Sequence, residues 1–496
     1  MDKYSRVPVI DVHAENLEAI WPVLVESIHT SSLIALDTEL SGLGNRKKLI
    51  AKSVEDRFKF MADVVKSRSI LTLGISCFIE QEVGIMTQFP DNCCNRPRET
   101  DDNDNSSNSP RETDDNDNSS NSPRETDDND SASLHNEKRQ YKAKTFNLSV
   151  LCSEDFVVEP GSLQFLVQHG FDFNKQYSKG IPYTRGNDKT CHDYSTPSVR
   201  NLFSQIVISN KPIALHNGFF DLLYLYQSFY ADVPSKLEVF LSDVYEMFTG
   251  GVIDTKYVAE YHMREPASYL GYIFRKCQRH NLSCKVAGAR YTEILMVEDR
   301  ILKPWIEELC CYANVKSHDS DGQTLQVCDL YASHGFCHKG FTCPLSHDMD
   351  LILDRDERIE HKKSKRKRKR KAAGNNETLE KSSSEVSRLA HDIVDTDRLP
   401  SNQHTTDTAG STKLPTEKPS SASTSGGHRA GIDAFMTGYC LVSYMTKKRL
   451  TKLQGSEWVN RVSLSGKEMP LQIAKSHFAK ASGNHSQKLK LIKGTK

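Results

Sequence analysis

Apolar positions recur at helical spacing from Val9 to Ile28 and predict a helix. The run Leu33–Glu39 follows, four apolar residues ending in two carboxylates, and predicts a buried strand. Ser53–Lys66 again reads as a helix, and Ile70–Ile79 as a strand rich in apolar residues. Lys142–Cys152 predicts a further strand, Gly161–Gly170 and Pro197–Ser209 helices, and Pro212–His216 a short strand that leads into a helix over Gly218–Tyr230. Asp254–Tyr261 and Ala267–His280 continue in helical style, and from about Asn281 the pattern weakens. The fold class this predicts is α/β.

Two stretches break the pattern. P-R-E-T-D-D-N-D-N-S-S-N-S begins at Pro97, recurs at Pro110 and starts a third, partial copy at Pro123. A 13-residue polar and acidic period has no apolar face to bury, so residues 91–140 are predicted to be a disordered insertion in a surface loop joining two strands. Residues 372–425 are rich in Ser, Thr, Asp and Lys and read as a disordered linker. Aromatic and apolar residues return from Gly426 to about Ser476.

Composition agrees with a partly unfolded chain: only 37% of its 496 residues are apolar. The 65 basic and 65 acidic residues cancel overall but are segregated into blocks, so the net charge identifies no partner. Met1–Thr30 has no basic segment followed by an apolar one, which argues against a targeting peptide. No apolar run is long enough to span a bilayer, and no membrane partner is expected. Thirteen cysteines without a signal peptide predict reduced thiols in the cytosol or nucleus.

Asp37 and Glu39 stand two residues apart, on one face of the predicted strand. Alone, the pair equally suits two solvated carboxylates at an exposed strand end. His216-Asn217-Gly218-Phe219-Phe220-Asp221 places a second carboxylate one turn into a helix, and His428-x4-Asp433 opens another apolar helical run. Each is also an ordinary acidic first turn, favoured by the helix dipole. Together they supply four carboxylates and a histidine, the set that two-metal phosphodiester chemistry requires. A histidine of near-neutral pKa is suited to take a proton from an attacking water. The residues alone support a metal-dependent phosphodiesterase.

The order and wording of these motifs resemble the DEDDh 3′-to-5′ exonucleases in their deadenylase branch. L-I-A-L-D-T-E-L-S-G-L, H-N-G-F-F-D and H-R-A-G-I-D-A-F-M-T-G are similar to its three exonuclease motifs. F-L-V-Q-H-G-F-D-F-N-K from Phe165, G-I-P-Y from Gly180 and Asp254-Thr255-Lys256 resemble poly(A)-specific ribonuclease and its CCR-associated-factor relatives. The resemblance implies an RNase H-like domain split by insertions into 1–90, 141–284 and 426–480. It implies that Asp37, Glu39, Asp221 and Asp433 hold two Mg²⁺ ions and that His428 is the general base. RNA with a free 3′ end would be the substrate, oligo(A)-tailed nuclear RNA in particular, small nuclear RNAs among them. Leu40-Ser41 departs from the Phe-Pro or Phe-Ser of many deadenylases. Asp254 and His216 read as scaffold. Two readings compete: an idle nuclear RNA-binding or growth-regulatory scaffold, which intact D-E-D-D-H counts against, and a DNA exonuclease with the same metals.

Cys328-x8-Cys337-x5-Cys343-x3-His347, within residues 322–350, has the register of a CCCH finger and predicts one structural Zn²⁺. Tyr331, Phe336 and Phe341 are candidate stacking platforms for single-stranded RNA. A finger that only packs against the nuclease or a protein stands beside that reading. Within 361–371, Lys362, Lys363, Lys365, Arg366, Lys367, Arg368, Lys369, Arg370 and Lys371 form nine basic residues in ten. The run fits a nuclear localisation signal read by an import receptor, an RNA-phosphate patch, or both. The resemblance places such a protein in the nucleus, in Cajal bodies, speckles or the nucleolus.

Overall fold

The computed structural model describes residues 4–81, 138–187, 196–296, 300–311, 317, 322–373, 429–446, 450, 453 and 455–494. The strands are β1 (Arg6–Val12), β2 (Leu33–Leu40), β3 (Ile70–Gln81), β4 (Lys138–Cys152), β5 (Ile181–Tyr183) and β6 (Ile213–Leu215). They continue with β7 (Val252–Asp254), β8 (Tyr291–Met296), β9 (Ile306–Cys310), β10 (Arg461–Val462) and β11 (Leu471–Gln472). Neighbours in the sheet run β11-β10-β7-β6-β2-β3-β4-β1-β9. β3 runs antiparallel between β2 and β4, and β6 and β7 add parallel on the other side of β2. This mixed sheet is the RNase H-like α/β arrangement the sequence predicts.

β2 lies at the centre because its residues are apolar on both faces. Ile34 and Leu36 join one core with the helices Leu17–Thr30, Val54–Ser67, Val199–Ile208 and Phe219–Phe229. Leu33 and Ala35 join the opposite core with the helices Leu270–Val286 and Ala430–Tyr444. The latter helix is buried from Ala430 through Val442 and, apart from Asp433 and Thr437, apolar all round, as suits a helix enclosed by protein. Phe435 and Tyr439 pack on Phe274, and Phe435 stacks on Phe78. Full burial of one such side chain stabilises by about 1.5–3 kcal/mol.

Several elements differ from the periodicity. Val9–Val12 belong to β1, and the helix starts only at Leu17. The valines and isoleucine of Val7–Val12 favour a pleated surface, and β1 is covered on one side by β4 and on the other by β9. Asp254 ends a short strand before the chain turns helical. Beyond residue 284 the sheet gains β8 and β9, and the C-terminal segment runs on through a helix Gly483–Lys493. The basic run lies in the helix Met349–Ala373. Both the acidic repeat and nearly all of the 372–425 linker fall outside the described residues. Among the described residues, no helix is long and apolar enough to cross a membrane.

Candidate active site

Asp37 and Glu39 stand at the C-terminal end of β2, on the face occupied by the Ala430–Tyr444 helix. The residue opposite Asp37 on β3 is Gly74. A Cβ there would lie 1.9 Å from the carbonyl oxygen of Ala430, so only glycine lets the helix start against the sheet. The Gly431 N–H donates to Asn147 Oδ1 at 3.2 Å, fixing that start on β4. Asp433 follows one turn later. Carboxylate oxygens of Asp37, Glu39 and Asp433 come within 4.8 Å of one another.

Asp221 arrives from the other face. Thr38 points opposite to Asp37, toward the Phe219–Phe229 helix, and its hydroxyl donates to Asp221 Oδ1. The strand end is thus straddled by two helices, each delivering a carboxylate from its first turn. Burial pushes the Asp37 carboxyl well above the ordinary range, and the charges of Asp433, Asp221 and Glu39 push it further. Burial also raises Asp221, to about 6, against the opposing hydrogen bond from Thr38. These groups crowd negative charge around Asp37, and an all-oxygen donor set of this kind suits hard divalent cations. His428 lies outside the described residues.

The neighbouring turn is braced by groups that do not enter the cluster. Asp254 accepts from the backbone N–H of Asn217 at 2.8 Å, Lys256 at 2.9 Å and Ser463 at 2.9 Å. It ties the His216–Gly218 turn to the C-terminal segment. His216 Nδ1 meets Thr255 Oγ1 at 2.9 Å, and burial pushes its pKa down to about 3. The ring is neutral at physiological pH.

A cleft of about 730 Å³ opens from Asp37 and Asp221. Leu40, Leu43, Met61, Phe219 and Phe220 give it apolar walls, and Arg46, Lys47 and Arg57 add cations. Flat apolar rings and phosphates are what such a lining suits. Arg46 and Lys47 follow the D-x-E motif closely enough to have been noticed. Arg57 and Ser463–Ser465 carry no local signal, because the fold alone brings them to the cleft.

The second cluster is Cys328, Cys337, Cys343 and His347, whose ligand atoms also lie within 4.8 Å of one another. His347 Nε2 is buried without a hydrogen-bond partner, the state expected of a nitrogen reserved for a metal. Tyr331 stacks on the His347 ring at 4.2 Å and 7°, with Tyr269 against its edge. Phe336 is exposed and meets His338 edge-on, whereas the Phe341 side chain lies outside the described residues. The module is docked on the nuclease. Arg275 holds Asp350 through two bonds of 2.8 Å, Arg279 reaches Asp354 at 2.7 Å, and Tyr272 donates to Asp356 at 3.1 Å. Lys362, Lys363, Lys365, Arg366 and Arg368 are exposed on the same helix; the side chains of Lys367, Lys369, Arg370 and Lys371 lie outside the described residues.

Three comparisons bear on the assembled site. In the fission yeast Schizosaccharomyces pombe, the uncharacterized protein C29A10.09c is 23% identical over 175 residues, 35% of this chain. The match spans 30% of that relative's length. Structural similarity reaches S. pombe Pop2p in its Mg²⁺- and Mn²⁺-bound form, at 17% identity and a TM-score of 0.34, covering 55% of this chain and 83% of that one. The RNase domain of the yeast Pop2 protein follows at 15% identity and a TM-score of 0.33, covering 54% and 76%. The CAF1 family ribonuclease model matches residues 12–195 and 192–441, a span that takes in the first carboxylate strand and the last carboxylate helix. The chain belongs to the CAF1 family of ribonucleases.

Proposed function

We propose that this chain is a metal-dependent 3′-to-5′ exoribonuclease that removes adenosines from the 3′ ends of nuclear RNA and releases 5′-AMP. The observation that carries the reading is the convergence of Asp37, Glu39 and Asp433 within 4.8 Å, with Asp221 facing them across the strand end. Those four carboxylates would hold two Mg²⁺ ions, which when bound polarise the scissile phosphate and favour ionisation of the attacking water. The remaining work falls to the chain. His428, five residues before Asp433, takes the water's proton. The apolar cleft walls receive the terminal bases, and Arg46 and Lys47 face the phosphates, while the buried Arg57 braces the Ser465 carbonyl at 2.7 Å.

The Cys3His cluster holds one structural Zn²⁺, and Phe336 and Phe341 offer stacking surfaces to single-stranded RNA, as does any free face of Tyr331. The basic residues 362–371 recruit an import receptor. Finger, basic run and split nuclease together resemble the nuclear Target-of-EGR protein. That resemblance supports oligo(A)-tailed precursors of small nuclear RNAs as substrates, trimmed during 3′-end maturation in the nucleus.

The test is a Mg²⁺-dependent assay on 5′-labelled RNAs ending in A, U, C or G, beside a DNA of the same sequence. Wild type shortens the A-ended RNA stepwise and spares the DNA. Asp37→Ala with Glu39→Ala abolishes shortening. Undiminished trimming by the double variant overturns the site.

A further inference from the structure

The loop Ser41–Asn45 carries the cleft wall just beyond the carboxylate strand, yet three side chains distant in sequence, Glu159, Arg68 and Tyr224, dictate its shape. Glu159 receives two consecutive backbone amides: Leu43 N–H donates to its Oε2 at 3.1 Å and Gly44 N–H to its Oε1 at 2.7 Å. Two successive amides aimed at one anion form a nest, here filled by a carboxylate of the chain itself. Arg68 Nε donates to the same Oε1 at 2.7 Å and holds the carboxylate in place. At Gly42 a Cβ would lie 2.5 Å from Glu159 Cδ, so the fit leaves no space for any other residue.

The remaining polar groups are also taken. Tyr224 OH donates to the Gly42 carbonyl at 2.6 Å, from the helix that carries Asp221 one turn earlier. Ser41 is fully buried; its N–H donates to Ser69 O at 3.0 Å and its hydroxyl to Val157 O at 2.8 Å. The Glu159 N–H donates to Ser41 O at 2.9 Å. Against this fixed backbone Leu43 is 40% exposed, an apolar side chain turned toward the cleft instead of the core. Holding it there costs burial that the fold forgoes, which is sensible where an aromatic base completes the contact.

We propose that Glu159 and Tyr224 are positioning residues: they lock the loop so that Leu43 meets the terminal base of the RNA at a fixed distance from Asp37 and Asp221. The proposal rests on the exoribonuclease reading and adds the residues that set substrate affinity. A preset wall spares the substrate the cost of ordering a loop when it binds.

Glu159→Gln retains the shape but replaces one acceptor oxygen with a donor and removes the charge facing Arg68. KM for oligo(A) RNA is expected to rise roughly ten-fold with kcat changed less than about two-fold, the pattern of lost ground-state positioning. Tyr224→Phe shifts KM in the same direction. Amide hydrogen exchange, read without RNA, is expected to quicken at Leu43 and Gly44 in Glu159→Gln and to stay slow at Ser41. Unchanged exchange at those two amides overturns the clamp. Faster exchange with an unchanged KM overturns its role in binding. Equal losses of kcat on RNA and on bis(p-nitrophenyl) phosphate, a diester without a base, also overturn it, because the effect then lies in the chemistry. If the wild-type protein does not shorten RNA, the exoribonuclease reading fails while the exchange result still decides the clamp.

Discussion

Asp37 is half-buried among three other carboxylates, and burial and their charges raise its pKa. Asp37→Asn removes a repelled charge and keeps the shape. The metal-free variant is expected to melt several degrees above the wild type while nuclease activity falls by at least about two orders of magnitude. A scan of melting temperature with and without Mg²⁺ checks this, since added metal should raise the wild type alone. His485 carries the opposite pH dependence. It is fully buried, with Nδ1 to Tyr230 OH at 2.9 Å and Nε2 to Glu246 at 3.2 Å. Burial lowers its pKa, against the raising charges of Asp243 and Glu246; Lys493 lowers it further. The unfolded chain therefore takes up a proton here before the folded one, and stability present above about pH 6.5 is lost as pH falls. The raised carboxyls act in reverse, stabilising as pH falls through about 6. The urea midpoint at pH 5.5, relative to that at pH 7.5, should be higher in His485→Gln than in wild type. Local spacing made the D-x-E pair and Asp221 legible, because their chemistry lies within a few residues. Glu159 was not legible, since its loop partner Leu43 is 116 positions away.

The Ala430–Tyr444 helix is the element on which the site depends. Gly74→Ala drives a methyl into the Ala430 carbonyl and must lift the helix start, moving Asp433 away from Asp37 and Glu39. Overpacking of this kind costs about 1–3 kcal/mol, and the loss of activity is expected to exceed the loss of stability. Paired urea titrations and RNA assays on this variant decide it. The helix itself was readable from an unbroken apolar run behind H-x4-D. β8 and β9 were not, because each is short and finds its partner only in the finished sheet. β1 was hidden by merging with the helical pattern after it. Helix Met349–Ala373 escaped for a different reason: its buried residues, Ile352 and Leu353, stand at its start and charged residues fill the rest.

Across the whole molecule the Cys3His module behaves as a part of the nuclease. Its helix is held to Leu270–Val286 by Arg275 and Arg279, and that helix packs on the one bearing Asp433. Cys337→Ser, or removal of metal by a chelator, is expected to release residues 322–350 and to lower the melting temperature of the nuclease too. Two independent transitions in calorimetry, the larger unchanged, would show the module to be thermally separate. The sheet, meanwhile, has a consequence for the making of the protein. Its carboxylate strand is translated well before the helix that covers that face and supplies Asp433. At roughly 5–20 residues per second, some 10–40 s separate the synthesis of Asp221 from that of Asp433. Throughout that interval the nascent chain carries an incomplete set of carboxylates beside an uncovered apolar face. A nuclease assembled in this order is expected to stay inactive on the ribosome until the Ala430–Tyr444 helix closes over the carboxylate strand.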